Sequence, residues 1–312
     1  MRIFVALAAL FAGACSTSLP KLQAKRLAFP ALAPRYANVT EASETLHDAR
    51  RNRDVPIRTY APANASERLP VVVFSHGIGE NRDSYAWLGR ALAQHGFFTV
   101  HVTHAGTDRA VLERGYLHLY RAVKQRENWI NRPLDVTFVL DRLASRADVD
   151  VNRTAAVGHS AGAFTSFALA GMQSAGGESF RDPRVKVAVP MSMPRMDGVV
   201  SAGGYDAIAI PLLNVTGTRD TSLIYRTFPR HRRIPFEESH AARQYLVTLE
   251  GATHNSFVLE DERREAIIAV TAAFLRAFLL DDAASRDWFD EPGVGRLEGV
   301  GISVERKTDS AR

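Results

Sequence analysis

The chain has 312 residues, of which 46% are hydrophobic and 23% charged, a balance that excludes a disordered or collagen-like polymer and a multi-span membrane protein. Its single cysteine, Cys15, excludes an intramolecular disulfide framework and any metal centre built on several thiolates. The formal charge of +5 is small for this length and spread along the chain, so it gives no nucleic-acid footprint.

The N-terminus reads as an export signal over residues 1–14. Arg2 supplies a positive start, Ile3 to Ala12 form an apolar run too short to span a bilayer, and Ala12-Gly13-Ala14 is a small-residue cleavage site. Phe11-Ala12-Gly13-Ala14-Cys15 resembles a bacterial lipobox, which implies acylation of Cys15 and anchoring in the cell envelope. An ordinary signal-peptidase site, giving a soluble secreted or periplasmic protein, is the alternative. Residues 15–52, rich in Ala, Pro and Arg, read as a tether, and residues 53–312 as one catalytic domain.

Within that domain strand and helix alternate. Arg53 to Tyr60 reads as an edge strand. Leu69 to Ser75 is a continuous apolar run, as expected of a strand buried on both faces, and His76-Gly77-Ile78-Gly79 ends it. A helix is expected over Arg82 to His95 with Gly96 at its end, then a strand over Phe97 to His101. The pattern loosens from Ala105 to Arg132, a segment suited to a lid or a site wall, and Pro133 is expected to open a helix running to Leu143. Strands follow at Thr154 to Val157, Val185 to Val189, Leu212 to Thr216 and Tyr245 to Leu249. Helices are expected over Ala163 to Met172 and Glu262 to Leu280. The tail after Asp282 is polar, with room for one short strand. This alternation predicts an α/β fold, a mostly parallel sheet with helices on both faces.

Gly158-His159-Ser160-Ala161-Gly162 is a G-x-S-x-G motif between a strand and a helix. That arrangement suits a nucleophile elbow, a turn so tight that glycines must flank it. A serine hydroxyl needs a base, and the base needs an orienting carboxylate. Asp220, in Gly217-Thr218-Arg219-Asp220 after one strand, fits the acid. His254, in Glu250-Gly251-Ala252-Thr253-His254 after the next, fits the base. His231 and His240 precede that strand and fit less well, and His76 reads as structural. The backbone N–H groups of Ile78 and Ala161 are the expected oxyanion hole.

Together, HGxG, GHSxG, GTxD and GAxH, each after a strand, resemble the α/β-hydrolase superfamily over about Leu69 to Leu280. Phe74 to Gly79, Asn131 to Val136 and Leu249 to His254 resemble the dienelactone-hydrolase-like group related to platelet-activating-factor acetylhydrolases and cutinase-like esterases. True dienelactone hydrolases use cysteine where this chain has Ser160, so that activity is not implied. Polyester-degrading relatives often carry a Trp where this chain has Met191-Ser192-Met193-Pro194.

The resemblance implies a serine esterase with no cofactor or metal, acting on small-molecule or lipid esters; the sequence does not fix which, and short-chain esters are the first expectation. Lipase, phospholipid acetylhydrolase and polyester hydrolase are alternatives. A non-catalytic surface-binding lipoprotein is the alternative of another class. No protein partner is implied.

Overall fold

The computed structural model describes residues 32–223, 226–239, 243–290, 293–297 and 300–307. The expected export signal and Cys15 lie outside these residues, as does His240. Among the described residues no helix is long and apolar enough to cross a membrane.

Ten strands form one sheet. In chain order they are β1 (Val39–Asp48), β2 (Arg53–Pro62), β3 (Leu69–Ser75), β4 (Phe98–Val102), β5 (Val149–His159), β6 (Val185–Met191), β7 (Leu212–Arg219), β8 (Gln244–Thr253), β9 (Gly293–Leu297) and β10 (Val300–Arg306). The spatial order is β1-β2-β4-β3-β5-β6-β7-β8-β10-β9. The six strands from β4 to β8 run parallel, and an antiparallel pair closes each side. This is an α/β-hydrolase fold. β3 and β4 are buried along their whole lengths, which is what their continuous apolar sequences require.

The chain steps from β3 outward to β4 and then returns to place β5 on the other side of β3. At such a reversal the loops leaving the two central strands diverge and open a crevice above their C-terminal ends. His76–Gly79 leaves β3 there, and Ser160 leaves β5.

Four expectations need correction. Residues 39–48, assigned to the tether, form β1, which pairs with β2 over ten residues. Its polar side chains are mostly exposed, with Glu41 ion-paired 2.7 Å from Arg58, so charge rather than apolar surface marks the open edge. Consequently β2 is the second strand and not an edge.

Pro133 does not open its helix either. Arg109–Glu113 (α2) and Tyr116–Lys124 (α3) follow Ala86–Gln94 (α1), and α4 runs from Arg126 to Leu143 with Pro133 inside. An interior proline costs about 3 kcal/mol. Burial of Val136, Val139, Leu140 and Leu143 on the inner face contributes roughly 1.5–3 kcal/mol each, so packing wins. The tail, finally, contains a helix, α8 (Ala283–Asp290), and the two strands β9 and β10.

The core lies on both sheet faces. α1 and α7 (Arg264–Leu279) cover one face with Leu88, Leu92, Ile267, Val270 and Phe274. α4 packs Val136, Val139 and Leu140 on the other, with α5 (Ala161–Ala170) beside it. Every residue of α5 is buried, so the helix that follows Ser160 is held on all sides. A five-residue helix, α6 (Ile234–Glu238), lies before β8.

Candidate active site

The turn between β5 and α5 is set by sterics. A Cβ on Gly158 would lie 2.3 Å from the Gly162 carbonyl oxygen, and one on Gly162 would lie 1.8 Å from that of Ser75. Only glycine fits either place. Between them Ser160 adopts φ 56° and ψ −116°, a conformation few side chains tolerate, and its N–H donates to Met191 O at 2.9 Å. The hydroxyl is thereby lifted above the sheet at the N-terminus of α5.

Asp220 follows β7 directly, and His254 follows β8 in a short 3-10 turn capped by Thr253 and Ser256. The three side chains meet. His254 Nε2 lies 3.1 Å from Ser160 Oγ, and His254 Nδ1 lies 3.0 Å from Asp220 Oδ1. With the proton on Nδ1, the imidazole donates to Asp220 and leaves Nε2 to accept from the serine hydroxyl. That arrangement can move a proton off Ser160 Oγ. His231, by contrast, caps the turn at Phe228.

Three further residues complete the group around Asp220, and none is apparent from sequence. Ser192, directly after β6, donates to Asp220 Oδ1 at 2.9 Å and lies 2.6 Å from His254 Nδ1. Arg232 is fully buried; its guanidinium is 3.0 Å from Asp220 Oδ1 and donates to the carbonyls of Ser192 and Met193 at 2.8 and 2.6 Å. Thr216 donates to Asp220 Oδ2 at 2.9 Å. Burial pushes the Asp220 carboxyl upward, but the Arg232 charge and the His254 and Ser192 hydrogen bonds outweigh it. The group is held well below the usual carboxylate range.

The loop after β3 faces Ser160 from the other side. Gly77 N–H donates to Glu80 Oε2 at 2.9 Å, and Gly79 N–H to Thr107 O at 2.8 Å, so the peptide carrying Ile78 is fixed at both ends. Arg132 clamps this loop to the nucleophile helix: it donates to His76 O, to Thr165 Oγ1 at 3.0 Å and to Thr107 Oγ1 at 2.7 Å. The amide of Ala161 opens α5, where an N–H has no intrahelical acceptor. Ile78, Glu80, His159, Ser160, Ser222 and His254 line one cavity of about 150 Å³.

A larger cavity, about 470 Å³, lies beside α5 and does not reach Ser160. It is walled by Tyr120, Trp129, Phe164, Phe180, Met196 and Val199. The 105–132 segment therefore forms helices that wall this second cavity, while Leu112 of α2 packs beside Gly79. The small cavity is the candidate for chemistry, because it joins Ser160 to His254.

The missed residues left uneven signals. Ser192 stands at the C-terminal end of a parallel strand, where site residues of this topology gather. Arg232 lies in the basic run Pro229-Arg230-His231-Arg232-Arg233, which reads as solvated surface. Nothing local marks one of its arginines as buried.

Comparison with known proteins agrees with this architecture. A family model described as platelet-activating factor acetylhydrolase, isoform II, matches residues 36–132, the portion that contains the His76–Gly79 loop. The chain is 40% identical over 50 residues to a platelet-activating factor acetylhydrolase of Cavia porcellus, covering 16% of this chain and 12% of that protein. It is 25% identical over 233 residues to cutinase est2 of Thermobifida alba, covering 73% of this chain and 66% of the cutinase. A platelet-activating factor acetylhydrolase of Canis lupus familiaris is 39% identical over 49 residues, 16% of this chain and 11% of that protein. Each match spans less than two thirds of the relative.

Proposed function

We propose that this protein is a serine carboxylic-ester hydrolase. The observation that carries the reading is the hydrogen-bonded series Ser160–His254–Asp220, set on the C-terminal ends of parallel strands and facing a cavity that Ile78 also lines. The similarity to proteins named acetylhydrolase and cutinase supports ester-bond chemistry.

The steps follow from the geometry. Ser160 Oγ attacks the ester carbonyl carbon as its proton passes to His254 Nε2. Asp220 orients the ring and stabilises its cationic form. The carbonyl oxygen, now an anion, accepts from the N–H groups of Ile78 and Ala161. Collapse expels the alcohol oxygen, which takes the proton from His254, and Ser160 is left acylated. Water then gives a proton to His254 and attacks the acyl carbon; collapse breaks the bond to Ser160 Oγ, which takes that proton back from His254, and the carboxylic acid is released.

A cavity of about 150 Å³ is smaller than the ~300–1,000 Å³ typical of drug-sized ligands, which favours a short acyl group. Export with acylation of Cys15 belongs to the same proposal, and is tested by metabolic fatty-acid labelling of wild type against Cys15→Ser.

The decisive test of the activity is hydrolysis of p-nitrophenyl esters of increasing chain length, with Ser160→Ala alongside. The expected result is activity highest on acetate or butyrate, abolished in the variant, together with fluorophosphonate labelling of Ser160. A folded wild-type protein inert across the panel and unlabelled would return the chain to the class of non-catalytic binding lipoproteins.

A further inference from the structure

One carboxyl in the cavity has no part in the steps above. Glu80 sits on the loop after β3, in backbone pairing with Asp108, and lines the same cavity as Ser160 and His254. Its position is close: a methyl group built on Gly77 would lie 3.0 Å from Glu80 Oε2 and 3.4 Å from Ser160 Cβ. The carboxyl and the nucleophile thus border the same space beside Gly77.

The two oxygens of Glu80 are used unequally. Oε2 accepts from Gly77 N–H at 2.9 Å and from the Tyr85 hydroxyl. Among the described residues Oε1 makes no hydrogen bond to protein. A neutral carboxyl with its proton on Oε1 keeps both contacts, since its carbonyl oxygen has two lone pairs and can take both donors. The Tyr85 oxygen is in turn 2.7 Å from His159 Nδ1, so the carboxyl is tied to the residue before the nucleophile.

We propose that Glu80 is a further catalytic residue, which in its neutral form offers Oε1–H to the bound ester as a donor beside the N–H groups of Ile78 and Ala161. Ionised, it offers no donor and places a negative charge where the oxyanion forms. The proposal rests on the ester-hydrolase reading and adds the group that sets its alkaline limit.

The surroundings agree with such a role. Burial pushes the Glu80 carboxyl up to about 7, against the hydrogen bonds from Tyr85 and Gly77 and the positive charges of Arg132 and Arg109. These, with His159, Asp108 and His254, are the titratable and charged groups that face it from α1, α2, α4, β5 and the turn after β8. Neutral at or below pH 7 and ionised above, Glu80 makes activity fall as the pH rises.

The test is the pH profile of kcat/KM for a neutral acetate ester in wild type, Glu80→Gln, Glu80→Ala and Tyr85→Phe. Gln keeps the geometry: its carbonyl accepts from Gly77 and Tyr85, and its NH2 donates to the cavity at every pH. Wild type is expected to lose activity above pH 7–8. Glu80→Gln holds its plateau and exceeds wild type by about tenfold or more at pH 9, and Glu80→Ala is depressed throughout. Tyr85→Phe removes a donor that favours the carboxylate, so its alkaline fall moves to higher pH.

Superimposable alkaline limbs in wild type and Glu80→Gln would overturn the proposal. If Glu80→Gln does not fold, an unmoved limb in Tyr85→Phe overturns it equally. Loss of activity in Ser160→Ala is read separately and decides the ester-hydrolase reading alone.

Discussion

Arg232 lies 3.0 Å from Asp220 Oδ1, and neither side chain reaches solvent. The pair is a buried charge with a buried counter-charge, and the same guanidinium also satisfies two backbone carbonyls. Arg232→Met leaves the buried carboxylate without its counter-charge and those carbonyls without the guanidinium donor. We expect a loss of about 3–5 kcal/mol in urea unfolding at pH 7. The sign with pH follows from the depressed Asp220 value. That stabilisation is full above the unfolded carboxyl value near ~4 and is lost as pH falls through the lower folded value. The gap between variant and wild type therefore narrows below about pH 4.

Acid should weaken the fold well before carboxylates titrate. Burial holds His101 down to about 3 and His104 down to about 4, His104 also by the charge of Arg132. A histidine kept neutral by the fold contributes fully above its unfolded value of roughly 6.5 and loses that contribution as pH falls toward the folded value. Each such group is worth at most about 3–5 kcal/mol. His101 packs between Tyr60 and Phe74. His101→Phe is expected to flatten the fall in unfolding free energy between pH 6.5 and 4, measured by urea titration. Curves of equal slope would refute this.

A second Ser-His-Asp series lies in the core. His104 Nε2 is 3.1 Å from Ser75 Oγ, and His104 Nδ1 is 3.1 Å from Asp135 Oδ2, with Arg51 and Arg53 also on that carboxylate. All three residues are buried, and Ser75 lacks the elbow that lifts Ser160. A substrate cannot reach it. Ser75→Ala should keep activity within about threefold of wild type and cost about 1 kcal/mol of stability. A fluorophosphonate adduct on Ser75, found by peptide mass spectrometry, would contradict the assignment.

Arg132 holds the Ile78 loop to α5 through a forked set of donors. Lysine keeps the charge but not the fork. Arg132→Lys is expected to lower kcat about tenfold with little change in KM, because it loosens a donor needed chiefly in the transition state. A rise in KM at unchanged kcat would place Arg132 in ground-state binding instead.

Much of this architecture is legible in the chain. β3 coincides residue for residue with the apolar run Leu69 to Ser75, because burial on both faces leaves no room for polar alternation. Ser160, Asp220 and His254 could be picked out by their places after strands, a rule of topology rather than of residue type. What escaped has physical causes. β1 is polar because it is an edge. The first two turns of α4 lie ahead of a proline that packing tolerates. Arg232 takes its role from Ser192 and Asp220, and Glu80 from the cavity it shares with Ser160 and His254, so no local pattern reports them.

Ser160 and His254 are separated by 94 positions in sequence, and they meet only when β5, β6, β7 and β8 lie side by side. The site is therefore a property of the finished sheet, with no fragment of it prepared in advance. During synthesis the nucleophile leaves the ribosome long before its base, and the chain stays chemically silent until β8 docks. Recovery of the proposed esterase turnover after dilution from denaturant would time the docking of that last parallel strand, without a label.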